Sequence, residues 1–507
     1  MQRGVLQAAQ LASVWRAGMR NRHRLFAALL GAMGAAVVPL VLRGFTVDDA
    51  LISCRYAHHL ASGAGYRFNE SGPVTDGVTP LPWPWLLAPF SRGGPLASLL
   101  AAKVLGTVAW LAAAGALTWH VHGLARRRLD WPHLGIVVMS ATPAVGAWAV
   151  SGMETGLATA VASTSLLMTG ALRRRMAGAI IAGLACTLRP ELLPWAVVLA
   201  VGHARCSLLD DGNGRIEALL FARRLVTFVS LASAPFIVVA IVRMIAFGRA
   251  APLAVLAKPS DFAHGWAYAL AGMLATGPFV AVVAPFAWLR LPSWPRWVLA
   301  AAWAHVITIM FVGGDWMPIS RLFVPVLPSL GLVFAHLATT ASTWSTVVRW
   351  MLCACGQTFV FWRVGADAAA VMNRREVLIE QLRPVLTAQD RVAAIDIGWV
   401  GASFDGTVID LAGVTDPAVA GLPGGHTSKA IPGLFLADRG ATVVVLQLPA
   451  GLDIAEAWRS GHFERAAECR LSLQPWVRAH FRPSHCLRSN DGLRYAVLTR
   501  VRDVGAP

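Results

Sequence analysis

Apolar runs of at least about 18 residues, the length a helix needs to cross a hydrocarbon core, recur through residue 365 with arginine clusters between them. With 56% hydrophobic and 14% charged residues the chain has too little polar surface for a soluble globule. A polytopic α-helical membrane protein is the expectation. The formal charge of +17 would point to nucleic acid in a soluble protein, yet much of the arginine sits in short loops beside apolar runs. By the positive-inside rule Arg16, Arg20, Arg22 and Arg24 put the N-terminus in the cytoplasm, and Arg126-Arg127-Arg128, Arg173-Arg174-Arg175, Arg223-Arg224 and Arg290/Arg296 mark later cytoplasmic turns. No nucleic-acid partner is expected; membrane lipid is. The first run, Leu25 to Leu42, lacks a small-residue cleavage site and is read as an uncleaved anchor.

Threading the runs between these anchors puts crossings near 25–44, 95–118, 131–149, 152–171, 176–188, 191–204, 224–246, 266–289, 297–313, 321–339 and 347–363, about eleven in all. The segments flanking Arg189-Pro190-Glu191 are short, and Pro190 interrupts them as a bent hairpin. An odd total leaves the C-terminus outside. From about Arg363 the composition changes, and 391–398, 407–411 and 441–446 read as short buried strands with intervening helices. The chain thus divides into a transmembrane region, 1–364, and a C-terminal extracytoplasmic α/β domain, 365–507. In that domain an oxidising compartment makes a Cys469–Cys486 disulfide an option, while Cys186, Cys353 and Cys355 read as core fillers in apolar segments.

Directly after the first run stand two adjacent carboxylates, Asp48 and Asp49. Acids beside lipid are costly and usually face a pathway or a reaction; the alternative is a pair of plain loop acids. The topology gathers Asp48/Asp49, Glu154, Arg189 with Glu191, the 247–261 loop and Gly313-Gly314-Asp315-Trp316 on the outer side, where a site is expected. Only three lysines occur, Lys103, Lys258 and Lys429. Lys258 in an outer loop, with Arg189 and Arg321 at outer helix ends, suits a phosphate, the alternative being interfacial snorkelling. Prolines and glycines shape the loop from Gly63 to Trp85, with Trp83 and Trp85 as interfacial residues. His58 and His59 lack partners for a metal site and read as surface or core histidines.

The runs Asp48-Asp49-Ala50-Leu51-Ile52-Ser53 with Arg55-Tyr56-Ala57, Gly65-Tyr66-Arg67-Phe68-Asn69 and Asp76-Gly77-Val78-Thr79-Pro80-Leu81 resemble the first outer loop of bacterial GT-C glycosyltransferases. The nearest likeness is to the arabinofuranosyltransferase-like branch. Gly152-Met153-Glu154-Thr155, Leu188-Arg189-Pro190-Glu191, the Pro252 to Lys258 loop, Gly313-Gly314-Asp315-Trp316-Met317 with Arg321, and Asp410 to Pro417 extend it in order along the chain. Departures are Gly77-Val78-Thr79, where an aromatic commonly follows the glycine, and Ala254-Val255, in place of a more polar pair.

The resemblance implies an inverting transfer of a sugar, D-arabinofuranose in the nearest branch, from a polyprenyl-phosphate donor at the outer face of the bacterial cytoplasmic (inner) membrane. It implies an aspartate of the first outer loop as base, Asp48 in preference to Asp49, with Asp49 orienting the acceptor or backbone. Lys258, Arg189 and Arg321 would take the donor phosphate. Arg55, Tyr56, Asp76, Glu154, Glu191, Asp315 and Trp316 complete the expected substrate site. No cofactor or metal site is expected, with a divalent cation left open. Acceptors consistent with the compartment are an envelope polysaccharide, a lipopolysaccharide or a pilin-type glycoprotein. A lipid-linked glycan transporter or flippase, whose acids would face a mid-membrane path, and a non-catalytic scaffold are the alternatives.

Overall fold

The computed structural model describes residues 2–124, 142–210, 218–257, 261–275, 285–315, 317, 319–490 and 492–501. Helices dominate as far as Leu382: α1 (Gln2–Val41), α2 (Asp48–Ala61), α3 (Pro82–Leu87), α4 (Pro95–Leu124), α5 (Pro143–Val150), α6 (Thr155–Gly170) and α7 (Arg175–Leu188), then α8 (Leu193–Asp210), α9 (Ala218–Phe247), α10 (Leu253–Leu256), α11 (Phe262–Ala275), α12 (Ser293–Val312), α13 (Leu327–Ala338) and α14 (Thr343–Leu382). Among the described residues six stretches are long and apolar enough to cross a membrane: Asn21–Val41, Pro95–Leu124, Pro190–Leu209, Ala218–Phe247, Ser293–Val312 and Arg321–Ala338. The α7 helix is apolar but shorter. Of the other expected crossings, those near 131–149 and 266–289 run partly outside the described residues.

Small residues set how closely these helices pack. A Cβ at Gly156 of α6 would lie 2.8 Å from the carbonyl oxygen of Gly106 in α4, so the two helices meet backbone to backbone. The bend at Arg189-Pro190 is present: α7 ends at Leu188, Arg189 is extended (φ −139°, ψ 94°), and Pro190 opens a 3-10 turn into α8, as the steric demand of proline on its predecessor requires.

The expected division at 364/365 is crossed by one continuous helix. Hydropathy falls near Arg363, but the residues that follow are strong helix formers and the next proline is Pro384. The change in composition therefore marks where α14 stops being apolar, not where it stops being helical.

Beyond α14 lies a sheet of β1 (Arg391–Ala394), β2 (Thr407–Asp410), β3 (Val443–Leu448), β4 (Phe481–Arg488) and β5 (Arg494–Arg500), with α15 (Ile397–Ser403) between β1 and β2. The order is β2-β1-β3-β5-β4. Strands β2, β1 and β3 pair in parallel, and β3-β5-β4 antiparallel. The three parallel strands lie where their apolar runs place them, since strands covered on both faces read as continuous hydrophobic segments. The β4–β5 hairpin was not expected, because β4 is largely exposed and carries Pro483 with a register shift before His485.

Several local expectations are corrected. Cys469 and Cys486 are free thiols; the Cys469 thiol donates instead to the Phe463 carbonyl at 3.1 Å. Cys355 is exposed on α14 rather than a core filler. Trp83 is fully buried and its indole N–H donates to Gly152 O at 3.3 Å, whereas Trp85 is exposed. His58 and His59 are half-buried and buried histidines, in keeping with the expectation, and their rings meet the backbone carbonyls of Ser91 and Arg67.

Candidate functional site

The adjacent acids at the start of α2 point to different places, as neighbouring helical residues must. Asp49, Ile52 and Ser53, spaced i, i+3 and i+4, line a cavity of about 410 Å³. The Asp48 side chain leaves along another face and meets the C-terminal domain, accepting from the backbone N–H groups of Gly398 (2.8 Å) and Trp399 (2.9 Å).

The cavity is built where chain segments end at one end of the helical region. Its walls include Gly77 to Pro80 from the first loop, Met153 and Glu154 before α6, Arg189 and Glu191 at the Pro190 bend, Ala254 and Val255 of α10, and Phe311 to Asp315 with Arg321. Of the expected site residues, Asp49, Glu154, Arg189, Glu191, Asp315 and Arg321 come together here. Lys258 and Trp316 lie outside the described residues.

The two arginines differ in how fully they are engaged. Arg189 is buried, with Nε 2.9 Å from Glu154 Oε1, Nη1 3.4 Å from Glu191 Oε1 and Nη2 donating to Thr155 Oγ1 at 2.5 Å. Arg321 Nε lies 2.5 Å from Asp315 Oδ2 and its guanidinium sits over Trp148 at 5.6 Å. No hydrogen bond from Arg321 Nη1 or Nη2 occurs among the described residues, leaving a donor fork for an anion. Asp49 and Glu154 act on Arg321 electrostatically. The Asp49 carboxylate, part-buried, accepts no hydrogen bond among the described residues, and fully buried Glu154 has a second oxygen, Oε2, without a hydrogen-bond partner among them. Four carboxylates and two guanidinium groups thus surround one space.

The backbone leading to Arg321 is strained. Ile319 (φ 58°) and Ser320 (φ 49°) both occupy the left-handed region, which is unfavourable for a β-branched residue and typical of functional sites. Trp148 helps hold this segment by donating its indole N–H to Ile319 O at 3.0 Å.

Arg55, Tyr56, Asp76 and Asp48 do not line the cavity; they hold its walls. The Tyr56 hydroxyl bonds Thr75 Oγ1 (3.0 Å) and accepts from Gly77 N–H (3.1 Å). Asp76 Oδ2 pairs with Arg243 Nε at 2.6 Å, and Arg243 also donates to the carbonyls of Val78 and Thr79. Arg55 is buried along α15, donating to Phe68 O (2.7 Å), Phe404 O (2.9 Å), Gly406 O (2.7 Å) and Gly401 O. Asn69 pairs with both backbone groups of Val408 on edge strand β2 (2.8 and 2.9 Å), blunting that edge.

Two residues outside the expected set are central. Arg243, buried in α9, clamps the Asp76–Thr79 wall; a lone arginine late in an apolar run was the available signal. His305 of α12 sets Nδ1 3.0 Å from Glu191 O and Nε2 2.8 Å from Leu322 O, tying the segments that carry Arg189 and Arg321. No local pattern marks it. Among the described residues, no group of three or more His, Cys, Asp or Glu side chains is gathered as for a metal ion.

Next to Asp48, burial comes first and then the charge of Asp396, and together they push its carboxyl up to about 7, against Arg375 and the two backbone N–H groups. For Asp396 burial opposes ionisation too, but Arg465 and Arg375 outweigh it and hold the group down at about 2.

Residues 368–485 match a family model described as a domain of unknown function (DUF8728). The match covers the last 15 of the 40 residues of α14 and most of the C-terminal domain, including β1, α15, β2 and β3. No curated protein matches the chain. No solved structure does either.

Proposed function

We propose that this protein is a membrane glycosyltransferase that moves a sugar from a polyprenyl-phosphate donor to an envelope acceptor at the outer face of the bacterial cytoplasmic membrane. The observation that carries this is that Asp49, a carboxylate accepting no hydrogen bond among the described residues, and Arg321, whose Nη1 and Nη2 make none among them, line one cavity at the helix ends. Asp49, not Asp48, is then the base. It takes the proton of the acceptor hydroxyl as that oxygen attacks the anomeric carbon, contributing about 10²–10⁴-fold. The carbon–oxygen bond to the phosphate breaks with inversion, and the electron pair leaves on polyprenyl phosphate. Arg321 meets that growing charge, with Arg189 behind it and Lys258 three residues beyond cavity-lining Val255. Glu154, Glu191 and Asp315, which line the same cavity, would accept from sugar hydroxyls. The sugar is one the arabinofuranosyltransferase-like resemblance favours, D-arabinofuranose.

The test is mass spectrometry of envelope glycans and glycoproteins from a deletion strain complemented with wild type, Asp49→Asn or Arg321→Ala at matched protein levels. Loss of one sugar residue in the deletion and in Asp49→Asn is expected. Full restoration by Asp49→Asn would sink the base assignment, and loss of an entire glycan would favour transport.

A further inference from the structure

Asp396 occupies the N-cap position of α15, where its own side chain would ordinarily satisfy the first free N–H groups of the helix. It does not. Its carboxylate is taken by Arg465 Nη2 at 2.8 Å to both oxygens and by the Tyr495 hydroxyl. The N–H groups of Gly398 and Trp399 are capped instead by Asp48, from the other side of the domain boundary.

Arg55 closes the opposite end. It donates to Gly401 O, one of the carbonyls that lack a partner within α15, and to Phe404 O just past the helix. Asp48 and Arg55 are seven residues apart, about 10 Å along a helix axis, which matches the seven residues of α15. The helices therefore run side by side in the same direction, with an acid at the donor end of α15 and a base at its acceptor end. Contact is close enough that a Cβ on Gly398 would lie 2.1 Å from Asp48 O. With α2 pinned at two points two turns apart, its rotation about its own axis is set, and so is the direction of Asp49.

We propose that Asp48 is a positioning residue, whose trans-cap on α15 together with Arg55 lets the C-terminal domain fix the rotation of α2 that aims Asp49 into the cavity. This rests on Asp49 acting as the base. It gives the C-terminal domain a part in catalysis without a residue in the cavity, and it separates two acids that look alike in sequence.

The experiment pairs two measurements on full-length protein. Glycan mass spectrometry of the complemented deletion strain reads product for Asp48→Asn, Asp48→Ala, Gly398→Ala and Asp49→Asn at matched protein levels. Hydrogen exchange on the detergent-purified variants reads protection at Gly398, Trp399 and the first turn of α2, with β3 and β5 amides as the reference for intact folding. Each Asp48 oxygen accepts from one N–H, Oδ2 from Gly398 and Oδ1 from Trp399; asparagine keeps one of the two acceptors, so Asp48→Asn retains more product than Asp48→Ala. Asp48→Ala and Gly398→Ala lose about 10–100-fold, the scale set by a misplaced catalytic group, and lose protection at 398–399 while β3 and β5 stay protected. Gly398→Ala reaches the same contact with Asp48 intact, so a folding failure of one variant leaves the other to decide. The proposal falls if Asp48→Asn is as inactive as Asp49→Asn, which would make the Asp48 carboxylate itself chemical. It falls equally if Asp48→Ala keeps full product. Product with Asp49→Asn sinks the base reading and the positioning role with it, while the exchange data still report whether the trans-cap exists.

Discussion

The cavity and the dock between α2 and α15 use similar residues to opposite ends. In the dock every charge meets a backbone group or an opposite charge: Asp48 accepts from two N–H groups, and Arg55 donates to four carbonyls. In the cavity Asp49 is without a hydrogen-bond partner among the described residues, and Arg321 keeps two terminal nitrogens for something else. A buried charge that is fully satisfied contributes to architecture, whereas one whose hydrogen-bonding positions stay open is available to a ligand. For the two acids the difference lies within one turn of one helix, so side-chain direction, not residue type, decides the role.

The largest effect should come from breaking the cavity side. Asp49→Asn removes the proposed proton acceptor and leaves the dock intact, so product is expected to fall by about 10²–10⁴-fold while exchange protection at Gly398 and Trp399 is unchanged. Arg321→Lys keeps the charge but loses the planar fork; a loss of about tenfold or more is expected in glycan product, since a point charge does not reproduce bidentate contact. If Arg321→Lys were neutral while Arg189→Lys was not, the order of the two cations would be reversed.

Breaking the dock side should cost stability as well as activity. Arg55→Met is close in volume but strands buried carbonyls of Phe68, Gly401, Phe404 and Gly406, each left unsatisfied at about 1–3 kcal/mol. Limited proteolysis should then release the C-terminal domain at protease levels the wild type resists. Resistance equal to wild type would mean that the apolar contacts alone hold the domains together.

A smaller effect tests the charge on Asp48. Its carboxyl is raised to about 7 by burial and by Asp396, so between the unfolded value and that point the folded state holds a proton the unfolded state has released. Stability from this group is present at low pH and declines as pH rises toward about 7. Asp396, held low, acts in the opposite direction and loses its contribution only as pH falls toward about 2. Subtracting Asp48→Asn from wild type isolates the first term. The difference in melting temperature should shift against the wild type from about pH 5 to about pH 8, and a flat difference would rule this titration out.

Much of this division was half-legible. Long apolar runs marked the helical region, and continuous apolar strands located β1, β2 and β3. The cavity acids and arginines stood out because charge is rare in such a chain. What could not be read was which motif residues face inward. Arg55, Tyr56, Asp76 and Asn69 belong to the same conspicuous loop as Asp49 but spend their polar groups away from the cavity, Arg55 and Asn69 on backbone, Tyr56 on Thr75 and Gly77, and Asp76 on Arg243. The partners of Arg55 and Asn69 at 401–408, and of Asp76 at Arg243, are distant in sequence, and no local period encodes such pairings. The β4–β5 hairpin escaped for a different reason: an exposed edge strand with a proline lacks the apolar run that marks its neighbours.

The smallest expected effect falls at the rim of the dock, where Asn69 covers the open edge of β2. Its carboxamide imitates a peptide unit, donating to Val408 O and accepting from Val408 N–H. Asn69→Ala removes both bonds where water can partly replace them, so a cost of about 1 kcal/mol is expected. Asn69→Asp keeps the acceptor but sets a carboxylate against the Val408 carbonyl, and should be worse than alanine although it is nearly isosteric. Exchange at the Val408 amide orders the three proteins directly: wild type most protected, then alanine, then aspartate. An aspartate variant as protected as wild type would mean that only the acceptor half of the carboxamide matters and that the edge is covered by packing rather than by a paired amide.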